Sequence, residues 1–104
     1  MQNLGDLLRK EREKRNLLLR EASALLEIDQ AILSKIERNN RKATKQQVFK
    51  FSEIYEINKN ILLITWLSDK VAYDLLEEDL AIEVLEVAEQ KIEYQKRQKH
   101  NGNK

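Results

Sequence analysis

The chain has 104 residues, no proline, no cysteine and only two glycines, and 36% of its side chains are charged for a net charge of +1. That length suits one domain with a modest core. The lack of thiols excludes a disulfide framework and a thiolate metal site, and the scarcity of breakers favours long helices over a many-turned β-fold. No apolar run approaches a membrane span or the core of a signal peptide, so a soluble, cytoplasmic protein is expected.

The net charge conceals an asymmetry. Residues 1–50 carry a balance of +5, residues 51–90 of −8, and residues 91–104 of +4. A basic first half followed by an acidic stretch suggests one surface that meets a polyanion and another that faces away from it.

Taken in order, residues 3 to 15 predict a first helix with Asn3 as its cap and Leu4, Leu7 and Leu8 as its apolar stripe. Arg9 to Arg15 alternate with Glu11 and Glu13, as on an exposed, ion-paired face. Asn16 can take the left-handed conformation that closes a helix. A second helix is expected from about Leu18 to Leu26, with Leu18, Ala22, Leu25 and Leu26 on one face. Asp29 then caps a third helix, from about Gln30 to Arg38, whose apolar residues are Ile32, Leu33 and Ile36. Asn39 is a second left-handed cap. Thr44 and Gln47 have capping-box spacing and open a fourth helix with Val48, Phe51, Ile54 and Tyr55 inward. Asn58 or Asn60 caps a fifth helix carrying Ile61, Leu62, Ile64, Trp66 and Leu67; whether it continues past Ser68 is open. Glu77, Glu78 and Asp79 read as an acidic helix start, followed by a stripe at Ala81, Val84, Leu85, Ala88 and Ile92. The run from Lys96 is polar and expected to fray. No internal repeat is evident.

Two short amphipathic helices separated by a tight break, the second with a polar outer face, describe a helix-turn-helix. The stretch from Arg12 to Ile57 resembles the phage repressor/Cro (XRE-type) helix-turn-helix family. The most diagnostic run is LSKIERNNRKAT, with Leu33, Ser34, Lys35, Ile36 and Glu37 in the family's order and Asn39 at its turn. The resemblance implies an all-α fold of five repressor-like helices, here with an additional C-terminal helix. It implies that the third helix enters the major groove, and that Arg12 and Glu37 form a structural ion pair. Two positions depart from the family. Leu18 and Leu19 stand where many members start the second helix with Thr-Gln, and Glu27 stands where the turn often has Gly.

By position on the third helix, Gln30, Ala31, Ser34 and Lys35 are the candidate base readers. Gln30 is the strongest, because its amide matches adenine N6 and N7. Arg20, Arg38, Asn39, Arg41, Lys42 and Lys45 are the candidate phosphate contacts. Residues 1–60 are assigned as the DNA-binding core, 61–95 as helices that complete it and dimerise, and 96–104 as a flexible tail. Trp66, Leu67, Val71, Leu80, Val84 and Ala88 exceed what a small core must bury and are assigned to the homodimer interface.

An enzyme is not expected. The sole His, His100, lies in the polar tail, and the chain has no Gly-rich phosphate loop, no metal-ligand cluster and no nucleophile beside a base. No cofactor or metal is implied. The expected function is a sequence-specific transcriptional regulator that binds a palindromic operator in double-stranded DNA as a homodimer, with a restriction–modification controller as one subtype. The alternative is a protein-interaction module, an antitoxin or adaptor, that holds a protein partner through the acidic C-terminal helices.

Overall fold

The computed structural model describes residues 2–102, which form six α-helices: α1 (Leu4–Lys14), α2 (Leu19–Leu26), α3 (Gln30–Glu37), α4 (Lys45–Tyr55), α5 (Lys59–Leu75) and α6 (Ala81–Gly102). The chain divides into two units, Met1–Val71 and Ala72–Lys104, with the division inside α5.

In the first unit, α1 packs on α3 and α4, and α2 packs on α3 and α4. Leu8, Ala22, Leu33, Val48, Phe51, Tyr55 and Leu62 are fully enclosed at the centre. α1, α3 and α4 bury the faces that their periodicity predicts. α2 differs: Leu18 and Leu25 are about half exposed, at 53% and 49%, and the inner face is Leu19, Ala22 and Leu26. Leu18 is the extended N-cap and so lies outside the helical period.

α1 to α4 all end in the same way, and none of them uses glycine. Asn16, Glu27, Asn39 and Glu56 take left-handed φ values of 56°, 57°, 62° and 53°. In each case the next residue donates its N–H five positions back: Leu17 to Arg12, Ile28 to Ser23, Asn40 to Lys35 and Ile57 to Ser52. This is the bond of the Schellman motif. The ends of α2 and α4 match further, in a short repeat not evident by eye. Ser23-Ala24-Leu25-Leu26-Glu27-Ile28-Asp29 parallels Ser52-Glu53-Ile54-Tyr55-Glu56-Ile57-Asn58. Each Ser hydroxyl donates to the carbonyl of its Ile. Each Asp or Asn then caps the next helix, Asp29 accepting from Ala31 and Ile32 and Asn58 from Asn60 and Ile61. Thr44 and Gln47 close α4 reciprocally, at 3.1 and 2.9 Å.

α1 is capped from a distance. Asn3 occupies the N-cap position, but its side chain makes no capping bond. Instead Asp69 of α5 accepts from Leu4 N–H at 2.8 Å, and Asn39 accepts from Gly5 N–H at 3.0 Å. Gly5 makes this approach possible. A methyl group there would collide with Asn39 Oδ1 and the Ile36 carbonyl, and would lie 2.8 Å from the Glu37 carbonyl.

α5 runs unbroken past Ser68 into the second unit, and Glu77, Glu78 and Asp79 lie in the turn before α6 rather than in its first turn. α6 continues through Lys96 to Gly102, where a frayed tail was expected; residues 103 and 104 lie outside the described residues. The absence of Pro and the run of Lys, Arg and Gln make that continuation favourable.

Replacing Glu27 or Glu56 by Gly removes a left-handed strain of about 1–2 kcal/mol and adds back a smaller unfolded-chain entropy. Each variant is expected to gain about 0.5–1 kcal/mol in urea unfolding. Gly5→Ala is expected to lose about 2 kcal/mol or more, because backbone must move to admit the methyl. An unchanged midpoint for Gly5→Ala would show that the α1–α3 approach is not tight.

Candidate nucleic-acid interface

The outer face of α3 is built by the same alternation that buries its inner face. Leu33, Ile36 and Glu37 are buried, whereas Gln30, Ala31 and Lys35 are exposed and Ser34 is half-buried. At 100° per residue, Gln30, Ala31, Ser34, Lys35 and Arg38 share the solvent face. Asp29 closes the α3 N-terminus with bonds of 2.9 and 3.2 Å. Its carboxylate makes that tip unsuited to a phosphate, so the group offered there is the Gln30 amide.

α3 is held by Arg12 of α1. The Arg12 Nε lies 2.8 Å from Glu37 Oε2 and 3.1 Å from Oε1, and Nη2 lies 3.0 Å from Oε1. Nη1 donates to the Leu17 carbonyl at 2.8 Å, which ties the turn between α1 and α2 into the same fork. The two side chains are only 12% and 4% exposed. The hydrogen bond to Glu37 raises the Arg12 pKa above its ordinary value, outweighing the opposing effect of burial. Beside this pair, Arg15 lies 4.9 Å over the Tyr55 ring and donates to the Tyr55 carbonyl, clamping the ends of α1 and α4. The Tyr55 hydroxyl is enclosed and has no hydrogen-bond partner within the protein. Burial, reinforced by the charge of Glu37, pushes its pKa up to about 12.

The candidate phosphate contacts divide. Arg20, Arg38, Arg41, Lys42 and Lys45 are exposed. Arg20 is the second residue of α2, whose N-terminus receives no side-chain cap because Leu18 cannot accept a hydrogen bond. Glu21 reaches back to Leu18 N–H at 2.8 Å. Arg38 Nε folds back onto the Ser34 carbonyl at 3.3 Å. Asn39 is exposed as well, and its amide also holds α1: Oδ1 accepts from Gly5 N–H and Nδ2 donates to Asp6 at 3.2 Å.

A family model described as Helix-turn-helix matches residues 8–62, more than half of the chain. The chain belongs to the XRE-type helix-turn-helix family. It is a DNA-binding transcription regulator of that type, and the family is one of regulators rather than enzymes. No curated protein and no solved structure matches the chain. Among the described residues, no helix is long and apolar enough to cross a membrane, and no cluster of His, Cys, Asp or Glu could hold a metal ion.

Trp66, assigned from sequence to a dimer interface, belongs to the first unit of this family member. Its Nε1 donates to the Ala43 carbonyl at 2.8 Å, its ring packs against the core, and Lys70 lies 4.5 Å above it. Leu67, Val71, Leu80 and Val84 are 49%, 43%, 64% and 44% exposed, and Ala88 is half-buried. Sequence reasoning passed over Gly5 and Asp69. Gly5 had a signal: a glycine in the first turn of an amphipathic helix costs about 1 kcal/mol relative to Ala and implies a packing reason.

Removing one partner of the buried pair strands the other charge, so Glu37→Ala is expected to cost about 3–5 kcal/mol. The double replacement Arg12→Met with Glu37→Leu should recover most of that loss in urea unfolding. Tyr55 gives a pH test. The folded chain holds the phenol proton up to about pH 12, against 10.0 for a free tyrosine. A raised pKa favours the folded state below pH 10, and that contribution is lost as pH rises from 10 to 12. Tyr55→Phe should flatten this alkaline loss and raise stability at pH 7 by about 1 kcal/mol, since it removes an unpaired buried hydroxyl. A less stable Phe variant at pH 7 would contradict this account of the hydroxyl.

Proposed function

We propose that the chain is a homodimeric, sequence-specific regulator that reads a palindromic operator by inserting α3 into successive major grooves. Gln30 is the principal base reader, pairing its amide with an adenine. Ala31 meets a thymine methyl, and Ser34 and Lys35 contact base edges or the backbone one turn further on. Arg20, Arg41, Lys42 and Lys45 neutralise phosphates, and the uncapped N-terminus of α2 beside Arg20 adds backbone N–H donors. Arg38 and Asn39 flank the end of α3, Asn39 with its amide engaged within the fold.

The observation that carries the reading is the composition of α3. Its exposed face is polar, uncluttered and headed by an amide, while a buried ion pair fixes its inner face. Two copies would read two half-sites about one helical turn apart. Pairing raises affinity because the second half-site is bound at high effective concentration. The exposed apolar residues Leu67, Val71, Leu80 and Val84 support pairing, since a lone chain leaves them in water.

The test is selection from a random duplex pool, followed by fluorescence anisotropy over a salt series. A selected palindrome should bind about a thousandfold or more tighter than random duplex. Gln30→Ala should relax preference at one base pair per half-site, a loss of about 1–3 kcal/mol. Arg41→Ala should weaken all sequences alike and lower the salt slope by about one for each phosphate it no longer neutralises. Equal affinity for every duplex would reject the reading.

A further inference from the structure

The stretch that leads into and forms α6 changes charge along its length. Residues 77–90 hold six carboxylates and no Lys or Arg. Residues 91–100 hold Lys91, Lys96, Arg97 and Lys99 against the single Glu93, and all ten are exposed. The helix macrodipole favours cations in the last turn, here Lys99 and His100. Lys91 and Lys96 lie outside that turn. Glu93 stands four residues before Arg97, the favourable spacing and order for a helix pair. Lys91 and Lys99 have no carboxylate three or four positions away on either side, and Lys96 and Lys99 are like charges three apart. Among the described residues, Lys91, Lys96 and Lys99 have no hydrogen-bond or ion-pair partner.

The three lysines share a face. At about 100° per residue, Lys91, Gln95, Lys96 and Lys99 fall within an arc of about 140°, and Glu93 and Arg97 lie outside it. Lys91 and Lys99 are about 12 Å apart along the axis. One strand of duplex DNA presents a phosphate about every 3.4 Å, so the row spans about three or four of them.

The composition of residues 91–100 narrows what this face meets. A helix that docks in a protein groove needs apolar anchors at successive turns, and one that lies on a membrane needs a broad apolar face. This segment has only Ile92 and Tyr94. A single-stranded nucleic acid needs a run of aromatic rings on which to stack, and Tyr94 is the one ring here. Unpaired cations on a polar helix suit the backbone of a duplex, which asks only for positive charge.

We propose that the Lys91, Lys96 and Lys99 face of α6 is a second, sequence-independent contact to the phosphates of duplex DNA, with the carboxylates of residues 77–90 kept off it by repulsion. This rests on the chain's membership of a family of DNA-binding regulators, and on neither pairing nor operator recognition. A duplex held elsewhere on the same chain is presented to this face at high effective concentration, so the segment needs little affinity of its own.

The test uses the full-length chain and a random-sequence duplex. Lys91→Gln, Lys96→Gln and Lys99→Gln together should make the salt slope in fluorescence anisotropy shallower by about 2–3 per chain, and should weaken binding at least about tenfold at 0.1 M salt. Circular dichroism should show equal helix content. The chain has no native thiol, so a single cysteine can carry an iron chelate that cuts nearby DNA. Residues 83 and 95 lie about 18 Å apart along the helix. Gln95→Cys, so labelled, is expected to cut the bound duplex, and Glu83→Cys to cut it weakly or not at all.

An unchanged salt slope, no cutting from position 95, or equal cutting from position 83 would overturn the assignment. It can fail apart from operator recognition. Equal affinity for every duplex, with the shallower slope and cutting from position 95, rejects the operator and keeps this contact. A palindrome bound specifically with an unchanged slope in the triple variant rejects this contact alone.

Discussion

The placement of α3 rests on one buried guanidinium–carboxylate pair. Arg12 uses Nε and Nη2 on Glu37 and Nη1 on the Leu17 carbonyl, so three pieces of chain meet on one planar fork. Such a pair adds little net stability over an apolar pair of similar volume. What it supplies here is position. Apolar contacts of Leu33 and Ile36 hold α3 against the core but are non-directional. A bidentate fork allows one orientation of the helix about its own axis. That rotation decides whether Gln30, Ser34 and Lys35 face outward together. The Gly5–Asn39 and Asp6–Asn39 bonds repeat the constraint just past the end of α3. The two contacts together make the α1–α3 approach the rigid reference for the outer face of α3.

The helix ends carry a second economy. Four Schellman closures use Asn or Glu in the left-handed region, where Gly would be unstrained. At α2 and α4 the same short string does three jobs: the Ser hydroxyl holds a carbonyl, Glu turns the chain, and Asp or Asn starts the next helix. The turn of the helix-turn-helix is thus an instance of a local device that the chain uses twice. Its geometry derives from hydrogen bonds within seven residues, not from DNA.

Local chemistry was legible in the sequence. Asp29 as a cap, the Thr44–Gln47 box, and the inward residues of α1, α3 and α4 each follow from contacts within four residues. What failed to read out depended on partners far along the chain. Asp69 caps α1 across 65 positions and Asn39 across 34, and no periodicity encodes either contact. The Arg12–Glu37 pair, 25 positions apart, was accessible only through resemblance to a family. Trp66 likewise has a distant partner, its indole N–H donating to the Ala43 carbonyl 23 positions away. At α2, Leu18 is the N-cap rather than a helical residue, and Leu25 faces solvent beside the buried Leu26.

The charge asymmetry gains a physical meaning once the helices are in place. A polyanion attracts the basic residues that surround the outer face of α3 and repels the carboxylates that precede and begin α6. A chain that were basic throughout would bind DNA by any face, and its affinity for random duplex would compete with its affinity for an operator. Carboxylates concentrated in residues 77–90 disfavour contact of that stretch with DNA. The basic run that follows, from Lys91 to Lys99, is a second segment that attracts a polyanion, so the charge order along the chain sets the acidic stretch between two basic ones.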